Sequence, residues 1–209
     1  MTLDEAYVLV HSRWTDLQAV IPTIEYHLEK TRARTVIELG VRTGVSTVVF
    51  LHALRERFHD AVGARGTVYS IDTEWPVGPF MPMLNEIAAS KGLGAWKFIH
   101  GDDLDPKVRT QLPNEADIVF IDTSHEYVQT MDELDAYLPL VKQGGRVLLH
   151  DALLKHAPSD PEPPDYPVRQ AMEDFCHHHD LWYEIESFED AEYGSWTNGC
   201  KNSLGVIYA

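Results

Sequence analysis

Residues 35–51, TVIELGVRTGVSTVVFL, constrain the fold more than any other stretch of the chain. An apolar run, Thr35–Leu39, breaks at a glycine turn, 40–44, and an apolar segment follows at once. This reads as a buried strand, a tight turn and a helix N-terminus. Such a junction suits the anionic or polar part of a nucleotide-like ligand, because the first N–H groups of a helix have no partner within it. Glu38 and the spacing E-x-G-x-x-x-G make the stretch more specific than a generic glycine loop.

Four further runs carry the same strand character: TVYSID (67–72), WKFIHG (96–101), ADIVFID (116–122) and RVLLHD (146–151). Helical stripes lie between them, one made by Phe80, Met83, Leu84, Ile87 and Ala88, another by Val128, Met131, Leu134 and Leu138. Strand alternating with helix predicts a doubly wound, mostly parallel sheet with helices on both faces. Gly144-Gly145 is the expected stop between a helix ending near Val141 and the next strand. The proline-rich loop 156–167 precedes a helix opened by Pro167, with the stripe Val168, Ala171, Met172, Phe175 and Cys176. LWYEIES (181–187) and SLGVIYA (203–209) read as two terminal strands, and the turn-rich YGSWTNGCKN between them permits an antiparallel pair. At the other end, Trp14, Leu17, Ile21, Ile24 and Leu28 recur at helical spacing, and Pro22 predicts two helical pieces rather than one. The expected organisation is an N-terminal helical segment, 1–33, serving as a lid or dimer contact, and one α/β domain, 34–209. Trp14 and Tyr26 are candidates for that contact, with core packing as the default.

The chain has 209 residues and a formal charge of −16, which repels phosphate backbones and argues against nucleic-acid substrates. No apolar run is long enough to span a bilayer, and the acidic N-terminus does not read as a signal peptide. Two cysteines, Cys176 and Cys200, are best read as free thiols in a reducing cytoplasm. A homodimer is expected on general grounds.

In open α/β sheets the ligand lies beyond the carboxyl ends of the strands, so the residues there are the candidates: residues 38–44, Asp72, Asp102, Asp103, Asp122, His150 and Asp151. Asp72 ends the second strand, where an acid accepts hydrogen bonds from ribose hydroxyls or caps a helix. Asp122, His150 and Asp151 end adjacent strands, about 4.8 Å apart in a parallel sheet, and can converge on one divalent cation such as magnesium or manganese. His125, three residues after Asp122, is either a general base or a capping and packing residue. His150 is either a ligand or base, or a buried, hydrogen-bonded histidine. His177, His178 and His179 read as a helix end, where positive charge suits the dipole. Loop 156–167 is a substrate lid or a plain connector.

The stretch 35–51 resembles the first motif of class I S-adenosylmethionine-dependent methyltransferases. The five strand-helix units and the terminal pair are similar to their Rossmann-like seven-stranded sheet, whose last strand is antiparallel. ADIVFIDTSHEYVQTMDELDAYLPLVKQGGRVLLHD looks like the corresponding stretch of small bacterial O-methyltransferases, with macrocin-type sugar O-methyltransferases and cephalosporin hydroxylase-like proteins the nearest patterns. The resemblance implies S-adenosylmethionine as cofactor, contacted by Glu38, Gly40, Thr43, Gly44, Ser46, Asp72 and Asp122. Asp102 or its competitor Asp103 would meet the adenine amino group, and Trp75 either covers the adenine face or packs in the core. It also implies a metal held by Asp122, His150 and Asp151, with His125 as base. His150 departs from the family's acid at that position; magnesium prefers oxygen, which leaves manganese, iron or a metal-free reaction with His125 or His150 as base open.

The leading expectation is therefore metal-assisted O-methylation of a small hydroxylated molecule: a sugar, natural product or phenolic. The alternatives are a metal-independent methyltransferase with a histidine base, or a non-catalytic nucleoside-binding protein of the same fold. A dinucleotide-dependent oxidoreductase fits poorly, because 40-GVRTG-44 lacks the G-x-G-x-x-G spacing.

Overall fold

The structure, a computed structural model, describes residues 1–12, 17–58, 66–89, 95–155, 165–188 and 202–209. Trp14, Cys200, most of loop 156–167 and most of the turn before the last strand lie outside the described residues. Five strand-helix units make the body of the fold: β1 Thr35–Leu39 and α3 Val45–Phe58, β2 Thr67–Asp72 and α4 Met81–Ala89, β3 Ala95–His100 and α5 Pro106–Arg109, β4 Ala116–Ile121 and α6 Tyr127–Tyr137, β5 Val141–His150 and α7 Pro167–His179. They are preceded by α1 Leu3–Ser12 and α2 Ile21–Lys30 and followed by β6 Trp182–Phe188 and β7 Asn202–Tyr208.

The seven strands form one sheet in the order β3-β2-β1-β4-β5-β7-β6. The first five neighbours are parallel, and β7 runs antiparallel between β5 and β6. Alternation along each strand divides the core in two. Val36, Ile118, Phe120 and Leu148 pack under α1 to α4; Ile37, Val119, Ile121, Val147 and Leu149 pack under α6 and α7. The order reverses between β1 and β4, and the register there pairs Leu39 with both Ile71 and Ile121, and Ile121 with Leu149. The carboxyl ends of β2, β1, β4 and β5 are therefore level, and the turns leaving them open on one crevice. Among the described residues no helix is long and apolar enough to cross a membrane.

Four expectations need correction. The helix predicted to reach Val141 ends at Tyr137: Leu138–Leu140 form a 3-10 turn around Pro139, and β5 already begins at Val141. Gly144 and Gly145 sit inside β5, where the register against β4 shifts between Ala116 and Ile118. A side chain at Gly145 would come within 2.8 Å of the Asp117 carbonyl oxygen, so close strand approach, not a helix stop, explains that glycine.

The stripe of α6 is also rotated. Val128 is 66% exposed, and the buried residues are Thr130, Glu133, Leu134 and Tyr137. The helix turns polar side chains inward because they find partners at the cavity wall. The N-terminal stripe is not split at Pro22: Leu17 lies in a turn, 17–20, and Pro22 lies in the first turn of one helix, α2, where its missing N–H costs nothing, while α1 falls before the stripe. Tyr26 is exposed.

Candidate active site

A cavity of about 870 Å³ opens beyond the carboxyl ends of β1, β2, β3 and β4. The turn after β1 forms its floor. Gly40 adopts φ +85°, a left-handed conformation that glycine tolerates. Val41 and Arg42 donate their backbone N–H groups to Asp72 Oδ2 at 2.8 and 3.0 Å, and Glu74 N–H reaches Asp72 Oδ1 at 2.9 Å. Two amides of the turn are therefore engaged by Asp72, which lines the cavity itself. Gly40, Thr43 and Ser46 line the cavity as well, whereas Gly44 supports it from behind, where a side chain would strike Leu84 Cδ1 at 2.9 Å.

Glu38 departs from its expected role. It is wholly buried and does not line the cavity. It shares the strand face of Val36, so it points under α3. There it accepts hydrogen bonds from Ser46 and Ser70, and from Thr47 at 2.7 Å. Burial pushes its carboxyl up to about 7 against those three hydroxyl donors. Glu38 thus anchors α3 and β2 behind the glycine turn.

Trp75 is not core. It is 68% exposed at the cavity rim and stacks on His100, with ring centroids 5.0 Å apart. After β3, Asp102 is exposed and accepts from Leu104 N–H at 2.9 Å, whereas Asp103 is buried. Neither caps α5: that role falls to Asp105, which accepts from Lys107 N–H at 2.8 Å.

The candidate catalytic residues do come together. Asp122 Oδ1 lies 3.2 Å from His125 Nε2 and 3.1 Å from His150 Nδ1. Asp151 Oδ2 lies 3.8 Å from His125 Nε2 and 3.5 Å from His150 Nδ1. Burial alone would raise the Asp122 carboxyl, but the two imidazoles outweigh it and hold the group well below the usual carboxylate range. Asp122, His125 and Asp151 line the cavity, and His150 is buried behind them. His125 and Asp151 have φ of +59° and +55°. Left-handed non-glycine residues gather where the surrounding structure fixes a functional geometry.

His177, His178 and His179 form the last turn of α7, apart from this cluster, and Cys176 packs in the core as expected. A second group, Asp4, His52 and Glu56, lies on the surface where α1 meets α3; Arg55 takes the Asp4 carboxylate there, so its negative charge is already answered. Sequence reasoning missed Thr123 and Gln129 in the cavity wall and Glu133 buried behind them. The available signal was polar Thr130 and Glu133 at the spacing that buries an α6 face.

A family model described as a methyltransferase domain matches residues 37–152. No curated protein matches the sequence. Solved structures share the fold over almost all of the chain. The O-methyltransferase TomG of Streptomyces achromogenes, involved in tomaymycin synthesis and solved with S-adenosylmethionine, is 18% identical over 99% of this chain and 88% of its own, with a TM-score of 0.64. An O-methyltransferase of Bacillus cereus, solved with S-adenosylhomocysteine, is 13% identical over 99% and 90%, with a TM-score of 0.61. CalS11, a TDP-rhamnose 3'-O-methyltransferase of calicheamicin biosynthesis, is 15% identical over 99% and 92%, with a TM-score of 0.57. By the match over 37–152 the chain belongs to the methyltransferase-domain family, and its sheet, with β7 antiparallel between β5 and β6, is that of the class I S-adenosylmethionine-dependent methyltransferases.

Proposed function

We propose that the protein transfers the methyl group of S-adenosylmethionine to a hydroxyl oxygen of a small molecule, and that Asp122 organises the deprotonation of that hydroxyl. The observation that carries this reading is the contact of one carboxylate, at the end of β4 beside the cofactor turn, with both His125 and His150. A sulfonium methyl needs little activation; the enzyme must align the acceptor and remove its proton. His125 Nε2–H donates to Asp122, which leaves Nδ1 to receive the acceptor's proton. As the acceptor oxygen bonds to the methyl carbon, the carbon–sulfur bond breaks and its electron pair stays on sulfur, giving S-adenosylhomocysteine and a methyl ether. Asp122, held ionised, stabilises the imidazolium, with Asp151 beside it.

The cluster also fits a divalent cation. Asp122, His125 and His150 each offer a ligand atom, all within 4.8 Å of one another. Two imidazoles among carboxylates suit manganese, iron, cobalt or zinc better than magnesium, which favours an all-oxygen octahedron. The resemblance would have Asp122, His150 and Asp151 hold the ion and leave His125 as base, whereas the side chains that lie together are Asp122, His150 and His125. A bound cation would supply a lowered pKa for the acceptor hydroxyl. The proton route through His125 and Asp122 is complete without it.

The acceptor is small in this reading, since a charge of −16 disfavours nucleic acid. TomG and CalS11 carry the likeness to O-methyl transfer on natural products and a sugar. The test is calorimetric titration of S-adenosylhomocysteine with manganese, magnesium or EDTA present, followed by turnover of sugars and catechols with methyl-labelled S-adenosylmethionine. Cofactor binding at one site per chain and turnover abolished in Asp122→Ala, with its circular dichroism intact, are expected. Undiminished turnover in that variant overturns the role of Asp122; absence of cofactor binding overturns the whole reading.

A further inference from the structure

Glu133 lies behind the cavity and joins three of its walls. It is wholly buried, yet it touches side chains that line the cavity from three segments. Thr123, on the β4–α6 turn, donates its hydroxyl to Glu133 Oε1 at 2.7 Å. Gln129, on α6, donates Nε2 to the same oxygen at 2.9 Å and also reaches Asp103 Oδ1 at 3.3 Å. Asp103, on the β3–α5 loop, is itself buried, and Tyr137 donates its hydroxyl to the Asp103 carbonyl at 2.8 Å. Thr123, Gln129 and Asp103 all line the cavity, whereas Glu133 does not.

The other oxygen of Glu133, Oε2, is buried and has no donor. A bare carboxylate oxygen in that position is costly, and a second carboxylate beside it is costlier. One proton resolves both problems. If Oε2 carries it, the oxygen becomes a donor, and the Asp103 carboxylate is its acceptor. The buried oxygen then has a partner, one negative charge is removed, and Oε1 keeps its two donors. A chain of hydrogen bonds results: Thr123 and Gln129 donate to Glu133, and Glu133 donates to Asp103.

We infer that Glu133, as a carboxylic acid donating to Asp103, is a positioning residue that fixes the cavity wall of Thr123, Gln129 and Asp103 for the cofactor. This rests on the reading of the cavity as the S-adenosylmethionine site. The function of the acid is to hold the β3–α5 loop against α6, so that Asp102 and the loop backbone meet the base in one arrangement. Burial, and then the neighbouring Asp103, push the Glu133 carboxyl up to about 8, and burial also raises Asp103. The charged and titratable groups facing the pair are Asp102 on the same loop and Tyr137 on α6, with Arg109 on α5 acting on Tyr137. Above that pH the wall holds two adjacent anions and its hydrogen-bond chain breaks.

The experiment is titration of S-adenosylhomocysteine, without added metal, from pH 6.5 to 9.5 into wild type, Glu133→Gln, Glu133→Ala and Gln129→Ala. Glutamine mimics the neutral acid: its amide N–H donates to Asp103 and its carbonyl accepts from Thr123 and Gln129. Wild-type affinity should fall above pH 8, by up to about tenfold per pH unit. Glu133→Gln should remove that decline and restore most of the affinity that Glu133→Ala loses, roughly tenfold or more at pH 7. Gln129→Ala keeps the proposal testable should Glu133→Ala fold poorly, and should weaken binding while leaving the alkaline decline in place. Titration of the ligand's own groups is common to all four proteins and cancels in the comparison. Parallel pH profiles for wild type and Glu133→Gln overturn this inference alone. Binding absent from every protein at every pH overturns the cofactor reading and this inference with it.

Discussion

A side chain at position 40 would place its Cβ 2.0 Å from the backbone carbonyl oxygen of Asp122. The first residue of the glycine turn and the carboxylate that contacts His125 and His150 therefore share one close backbone contact, where β1 and β4 meet at the switch point. Gly40→Ala should damage both. The left-handed φ costs an alanine about 1–2 kcal/mol, and the clash adds to it because backbone cannot yield as a flexible side chain does. Gly144, at φ +81° with nothing within 4 Å of a new Cβ, isolates the first cost. Urea unfolding should show Gly144→Ala losing about 1–2 kcal/mol and Gly40→Ala clearly more, with cofactor binding and turnover lost only in the latter. Equal losses would mean that the contact with Asp122 is not what requires glycine.

That contact also shows what a sequence reveals and what it hides. Strand-turn-helix order and the acids beyond the strand ends were legible, because alternation and glycine turns are local signals; that the ends are level follows only from the register. Glu38 was misplaced because the motif names the residue but not its face; its parity with Val36 sends it under α3. The start of β5 was misread because Gly144-Gly145 has the composition of a stop, and only the approach of Asp117 gives it another purpose. The rotated face of α6 was hidden because Val128 is apolar and Glu133 is charged, and only partners from two distant turns reverse the expected burial.

Glu38 makes stability depend on pH. Its carboxyl is pushed up to about 7 by burial, so the folded state holds the proton more tightly than the unfolded chain. The stabilisation is present in full below about pH 4.5 and is lost as pH rises through 7. At about 1.4 kcal/mol per pH unit, the loss is on the order of 3 kcal/mol. Relative to wild type, Glu38→Gln should gain stability as pH rises from 5 to 8, measured by urea unfolding at each pH. A constant difference across that range would mean that Glu38 is ionised in the fold without penalty.

His27 has the opposite sign. Its Nδ1 accepts from Arg146 Nε at 3.0 Å in a fully buried setting, and burial with the adjacent guanidinium pushes the imidazole down to about 4. Its contribution is present above pH 6.5 and is lost as pH falls through 4, when protonation removes the acceptor and sets two cations together. Thermal melts of His27→Gln should therefore lose less stability than wild type between pH 6.5 and 4. The expectation fails if the two proteins lose stability in parallel.

Cys176 should be chemically silent in the folded protein. It is buried on the inward face of α7, and burial pushes its thiol up to about 12, so almost no thiolate exists at neutral pH. In a Cys200→Ser background, a maleimide should label the chain only as fast as it unfolds, and at once in denaturant. Rapid labelling of the native protein would place that thiol at an accessible surface.

Asp72 supports the cavity floor through three backbone donors. Its Oδ2 holds Val41 N–H and Arg42 N–H, and Arg42 sits at φ +51°, a conformation a non-glycine residue adopts only when held there. Asp72→Asn keeps one acceptor oxygen but turns an NH₂ group toward one set of backbone donors. We expect a stability loss of about 1–3 kcal/mol and a larger proportional loss of cofactor affinity, since a displaced turn also moves Gly40 and Thr43 at the cavity floor. Asp72→Ala, with no acceptor left, should be worse on both counts. Calorimetry and urea unfolding on the two variants separate the roles: affinity lost in Asp72→Asn with stability unchanged would mean that the carboxylate acts on the ligand directly and that the turn stands without it.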